Sequence, residues 1–154
     1  MNINEQLIHT FYTAFSKLDY KTMQDCYKDE AIFNDPVFGI LHGEQIKKMW
    51  KMLCTNARDF SLQYSNAEAG REYGTCRWTA RYTFSKTGKK VVNNVKAHMR
   101  FADGKITEHT DEFDLYKWSR QAFGLQGWFL GWSGFMKNKI RHQALKSLLK
   151  MLNV

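Results

Sequence analysis

The chain has 154 residues, 44% of them hydrophobic and 25% charged. That length suits one domain with a core of its own, needing neither disulfide nor metal to hold it. One Pro, ten Gly and an aromatic set of 11 Phe, 7 Tyr and 5 Trp exclude a collagen-like, low-complexity or disordered chain. The net charge of +8 is unevenly spread. Residues 115–154 hold Lys117, Arg120, Lys137, Lys139, Arg141, Lys146 and Lys150 and no acid, which leaves 16 basic against 15 acidic residues in the rest. A basic segment of this kind is either a solvated helix face or a surface for nucleic acid or an acidic lipid.

Cys26, Cys54 and Cys76 are odd in number, widely spaced and without a CxxC pair. They fit free thiols used as small core residues in a reducing, cytoplasmic compartment. The first residues lack the basic and apolar regions of a signal peptide, and the least polar stretch, 124–136, is too short to span a bilayer.

In chain order, residues 4–18 place Leu7, Ile8, Phe11, Tyr12, Phe15 and Leu18 at helical spacing, with Asn4 as a candidate N-cap. A second short helix is expected over 20–27. Residues 31–35 are β-prone and stop at Asp35-Pro36. A third helix over 43–57 carries Ile46, Met49, Trp50 and Leu53 as its apolar stripe. From residue 60 the period becomes two: Phe60, Leu62, Tyr64, then Trp78, Ala80, Tyr82, Phe84, then Val91 to Phe101. Thr87-Gly88 and Asp103-Gly104 mark hairpin turns. A last strand is expected over 105–116, and a basic amphipathic helix over 137–152. The order is α+β, with a curved antiparallel sheet against the helices.

The helix ending FYTAFSKLD, the segment CYKDEAIFNDPVFGILHGEQIKKMW and the strand ending DGKITEHTDEFD occur in this order over residues 5–116. Together they resemble the nuclear transport factor 2-like superfamily, the α+β cone that includes ketosteroid isomerases and SnoaL-like polyketide cyclases. The resemblance implies a cone domain over 1–116, with 117–154 as an aromatic and basic extension packed on it. It implies a pocket for a small hydrophobic organic molecule, a homodimer and no cofactor. This fold hosts unrelated activities, so function has to be argued from the site.

Alternation points Phe33 with Asp35, the set Trp78, Ala80, Tyr82 and Phe84, and the set Thr107, His109, Asp111 and Phe113 toward that pocket. By the resemblance, Asp35 stands where ketosteroid isomerases keep their general base. A carboxylate facing an apolar pocket has its charged form disfavoured and can shuttle a proton. The alternative is an Asp that caps the next backbone amides of a turn. The isomerase's two oxyanion donors fall on Phe11 and Ala97, which cannot donate, and that argues against steroid isomerisation by the known route. Tyr12, one position on, is expected to point elsewhere.

His109 and Asp111 share a face as an acid and orienting pair, in the way polyketide cyclases of this superfamily use such groups, or as a mutually satisfied pair. HTD also supplies two of the three ligands of a facial metal triad, with His9, His42, His98 or His142 needed as the third. On this scaffold no metal is expected. Phe33, Trp50, Trp78, Tyr82, Met99 and Phe113 are candidate wall residues and Asn93 a polar contact. Glu108, Glu112 and Asp114 should point outward, toward Arg77, Arg81, Lys96 or Arg100. In the tail, Trp128, Phe129 and Trp132 suit a lid, a dimer contact or a membrane interface.

The reading these residues support is an acid/base enzyme of isomerase, cyclase or hydrolase type using Asp35, His109 and Asp111. The alternatives are a ligand-binding or sensory module without turnover, and an adaptor binding nucleic acid or an anionic membrane through residues 137–154.

Overall fold

The computed structural model describes residues 1–124 and 134–152. Helix α1, Ile3–Ser16, starts in a capping box: the Asn2 side chain accepts from the Glu5 N–H, and the Glu5 carboxylate accepts from the Asn2 N–H. Its apolar stripe buries Ile8, Phe11, Tyr12 and Phe15. Asp19 caps α2, Tyr20–Asp25. Then follow β1 (Tyr27–Asp35), β2 (Gly39–His42), α3 (Glu44–Asn56), β3 (Ser61–Ala69), β4 (Tyr73–Thr83), β5 (Lys90–Ala102) and β6 (Lys105–Glu112). Two more helices follow, α4 (Leu115–Phe123) and α5 (Gly134–Leu152).

The six strands form one curved sheet in the order β2-β1-β6-β5-β4-β3. Its concave face takes the buried half of each alternation, and α1 and α3 pack into it. The outer face carries the charges. Arg100 pairs with Glu72 and Glu108, and His98 with Glu112 at 3.5 Å.

Four features differ from the sequence reading. First, the sheet is mixed: β1 and β6 run parallel, with Phe33 beside His109 and Asn34 beside Thr110. A parallel pair needs a long crossover, and here the rest of the sheet and α3 supply it. Second, β1 begins at Tyr27, four residues early, with Tyr27 buried on the inner face like Ala31 and Phe33, and its pairing with β6 is irregular between Tyr27 and Ile32. Third, Thr107 is the extra residue of a bulge, because Phe101 pairs with Ile106 but Arg100 with Glu108. Ile106 therefore shares the buried face with His109 and Asp111, and Thr107 does not. Fourth, the last strand stops at Glu112. Asp114 accepts from the Lys117 N–H and starts α4, so it is a helix cap and not an outward strand residue.

All three cysteines are buried and free. Burial pushes their thiols up, to about 11 for Cys26 and Cys76 and about 12 for Cys54, so they are poor nucleophiles. Among the described residues, no helix is long and apolar enough to cross a membrane.

Gly74 sits where β3 and β4 cross the end of the core. A Cβ there would lie 2.8 Å from the Phe101 ring and 2.9 Å from the Glu68 carbonyl oxygen. Gly74→Ala should lower stability by about 1–3 kcal/mol in urea denaturation. Gly70→Ala, whose Cβ meets nothing nearer than 3.9 Å, should stay within about 0.5 kcal/mol.

Candidate functional site

The concave sheet face and the helices enclose a cavity of about 280 Å³. Its wall is mostly apolar and rich in aromatic rings: Phe15 from α1, Trp50 from α3, Phe33, Trp78, Tyr82 and Phe113 from the sheet side, and Trp118 from α4. Asn56, Ser85 and Lys86, all exposed, lie on its rim. Two carboxylates, Asp35 and Asp111, open onto this apolar space.

The parallel pairing of β1 and β6 explains why they are neighbours. Asn34 lies beside Thr110. Continuing that register by one residue sets Asp35 beside Asp111, on strands about 4.8 Å apart. Asp35 ends β1 at the turn before β2, where its Oδ1 accepts from the N–H groups of Val37 at 2.9 Å and Phe38 at 2.6 Å. The turn-capping role is therefore real. It occupies one carboxylate oxygen, and Oδ2 meets no donor among the described residues. Burial pushes the Asp35 carboxyl up to about 7, with the neighbouring Asp111 charge adding to it against the two backbone hydrogen bonds.

Asp111 is fixed from behind by a chain of buried hydrogen bonds. Trp50 Nε1 donates to Tyr27 OH at 3.0 Å, Tyr27 OH lies 2.6 Å from His109 Nδ1, and His109 Nε2 lies 2.9 Å from Asp111 Oδ1. An indole N–H can only donate, so one direction satisfies every member. Tyr27 passes its proton toward Nδ1, and Nε2–H donates to Asp111. The His109 ring is clamped edge-on by Phe11 at 5.6 Å and Phe33 at 5.1 Å.

Most of the residues singled out from the sequence meet here. Phe33, Trp50, Trp78, Tyr82, Asn93 and Phe113 line the cavity with both aspartates. His109 lies behind Asp111 and does not line it; it is 1% exposed. Met99 is corrected from wall to core, because it pairs with His109 across β5 and β6 in that same buried layer. Phe11 and Ala97 are wholly buried and offer no donor. Tyr12 points elsewhere than Phe11, as expected, and does not line the cavity. Helix α1 is covered on two sides, so Phe11 meets Trp50 of α3 while Tyr12 packs on Tyr64 and Trp78 of β3 and β4. Of the candidate third metal ligands, His9 bonds Tyr64 OH and His98 faces Glu112 on the outer surface.

Several site residues were missed. Trp118 comes from α4, and Ile140, Gln143 and Ala144 from α5. The signal was present: Asp114 as a cap, then Leu115, Trp118 and Ala122 at helical spacing. The basic helix lays Ile140, Ala144 and Leu148 inward and leaves His142, Lys146 and Lys150 exposed. Arg141 donates to the Pro36 carbonyl, 3.3 Å away, beside the Asp35 turn. Trp128, Phe129 and Trp132, and with them the lid, dimer and membrane readings of that segment, lie outside the described residues.

Removing the Tyr27 hydroxyl would strand two buried groups, Trp50 Nε1 and His109 Nδ1, at about 1–3 kcal/mol for each unsatisfied group. Tyr27→Phe should therefore lower unfolding stability by a few kcal/mol. In nitrogen NMR, His109 should report the Nε2–H tautomer in the parent protein and lose that fixed pattern in the variant.

Comparison with known proteins places the chain in a family. The chain resembles TerC co-crystallised with polyporic acid, at 17% identity over 80% of this chain and 100% of that one, TM-score 0.69. It resembles an LEH-like epoxide hydrolase of M. tuberculosis at 18% identity, over 82% and 92% of the two chains, TM-score 0.65. It also resembles IdmH, a putative polyketide cyclase from Streptomyces antibioticus, at 20% identity over 75% and 95%, TM-score 0.63. No curated protein matches it in sequence. At these identities the solved structures show a shared fold. The SnoaL-like domain, by contrast, is matched in sequence over residues 8–109, about two thirds of the chain and the part that builds the sheet, α1, α3 and Asp35, and on that match the chain belongs to the SnoaL-like family.

Proposed function

We propose that this protein is an acid/base enzyme that moves a proton on a small, mostly apolar organic molecule, in an isomerisation, a cyclisation or an addition of water. Asp35 is the proton carrier. Asp111, oriented by His109, is the second carboxylate. The observation that carries this is the unequal treatment of two adjacent carboxylates in an apolar cavity. Asp35 lines the cavity with one oxygen that meets no donor among the described residues and with its carboxyl near 7, and Asp111 is held by a hydrogen-bond chain three residues deep. Environments that separate paired titrating groups in this way suit one group to exchange protons and the other to stay in place. Neighbours in fold named as a polyketide cyclase and an epoxide hydrolase are consistent with it.

A carboxylate poised near neutrality can take a proton from carbon and return it at another position without the solvent's help. His109 acts one step back, as the group that aims Asp111. The aromatic wall excludes water and selects flat apolar substrates.

The same shift has a stability consequence. Folding raises the Asp35 pKa from 3.8 to about 7, so the folded chain holds that proton more tightly than the unfolded chain. Its contribution is present below about pH 4 and is lost as pH rises toward 7. Asp35→Asn should remove this slope and raise the melting temperature at pH 8. It should also lower proton transfer by about 10²–10⁴-fold. Deuterium uptake at the acetyl methyl of methyl naphthyl ketone, followed by NMR in deuterated buffer, reads that step. Uptake in the parent protein should rise with pH through about 7 and then level. Uptake no faster than buffer alone, or unchanged in Asp35→Asn, contradicts the proposal.

A further inference from the structure

Removing a proton beside a carbonyl leaves negative charge on oxygen, and the transition state needs a donor aimed at that oxygen. By the resemblance to ketosteroid isomerases, the positions that would serve this purpose fall on Phe11 and Ala97, which cannot donate. A different donor stands on the cavity wall. Tyr82, from β4, lines the same space as Asp35 and Asp111. Its oxygen accepts a hydrogen bond from Trp118 Nε1 at 2.7 Å.

That one contact fixes the direction of the other. An indole can only donate, so the Tyr82 oxygen is the acceptor and its own proton is free to be given. Among the described residues no acceptor takes it. A hydroxyl that accepts a hydrogen bond is polarised and becomes a better donor. Trp118 is itself held firmly. It packs with Val91, Leu115 and Ile140, and the rings of Phe84 and Phe123 meet it edge-on at 5.5 and 6.1 Å. Burial, and then the Asp35 charge, raise the Tyr82 hydroxyl's pKa, which fits two groups facing one space.

We propose that the Tyr82 hydroxyl binds the carbonyl oxygen of the substrate, with Trp118 as its positioning residue, so that the substrate class is an enolisable carbonyl compound with an apolar body. This rests on the acid/base reading of Asp35. In the step, the Asp35 carboxylate takes the proton from the carbon next to the carbonyl. The C–H electron pair becomes the new C=C bond, and the carbonyl π pair moves onto the oxygen held by Tyr82. Asp35 then returns the proton to carbon as the pairs move back. No other reactant is needed.

The test compares two probes of one shape, methyl naphthyl ketone and ethylnaphthalene, with binding read by calorimetry and the carbonyl stretch read by isotope-edited infrared spectroscopy. In the parent protein the ketone should bind about three- to tenfold tighter than the hydrocarbon, as one net hydrogen bond allows, and its stretch should shift to lower frequency. Tyr82→Phe should abolish both effects while ethylnaphthalene binds as before, which also reports that the cavity is intact. Trp118→Phe should keep the ketone preference with a smaller shift, and fluorotyrosine at position 82, a stronger donor, should enlarge it. A ketone preference and frequency shift that survive Tyr82→Phe overturn the proposal, as does a parent protein that shows neither. Asp35→Asn separates this from the parent reading. Loss of the frequency shift in Tyr82→Phe, together with deuterium uptake unaffected by Asp35→Asn, would retain the oxygen site and refute Asp35 as the proton carrier.

Discussion

Two carboxyl groups lie beside each other at an apolar cavity, and that is expensive in free energy unless one of them gives up its charge. Asp35 and Asp111 are put there by the parallel pairing of β1 with β6, and most of the surrounding structure answers to that constraint. Like charges on neighbouring strands oppose joint ionisation, and the mostly apolar wall supplies few polar groups to offset it. The protein treats the two differently. Asp111 receives a dedicated line of hydrogen bonds from Trp50 through Tyr27 and His109, and Asp35 receives, among the described residues, two backbone donors on a single oxygen. The identity of Tyr27, deep in the core, is explained by this requirement and not by volume alone, since Phe would fill the place without supplying the hydrogen bonds.

Much of this was legible before the structure. Alternation placed Phe33 with Asp35, and His109 with Asp111, because a strand's period of two is a strong local signal. Helical spacing found α1, α3 and the inward face of α5. What alternation cannot encode is which strands become neighbours. The adjacency of Asp35 and Asp111 depends on a parallel contact between residues 76 apart in the chain, such as Asn34 and Thr110. The bulge at Thr107 was invisible for a related reason. A single extra residue leaves the polar and apolar pattern nearly unchanged, yet exchanges Thr107 for Ile106 on the buried face. Met99 was misplaced because alternation gives the side of a sheet and not the depth along it.

The C-terminal third carries the largest difference between pattern and site. The family match ends at residue 109, before Asp111, Phe113, Trp118 and the helix residues Ile140 and Gln143 that complete the cavity wall. The basic charge that dominates this segment in sequence lies partly on exposed positions such as Lys146 and Lys150, while the apolar face of the same helix turns inward. Its contribution to the cavity comes from the residues between the charges. A fold shared with many proteins is thereby given a wall of its own, which is where specificity among members of one fold is expected to reside.

The central claim is that burial and the adjacent Asp111 hold the Asp35 proton near neutrality, and its most direct measurement is a carboxyl-carbon NMR titration of Asp35 in protein labelled at aspartate. The account predicts a midpoint near 7, moving down in Asp111→Asn but staying above the ordinary range, because burial is the larger cause. A midpoint near 4 in the parent protein, or one near 7 that Asp111→Asn leaves unmoved, would contradict it.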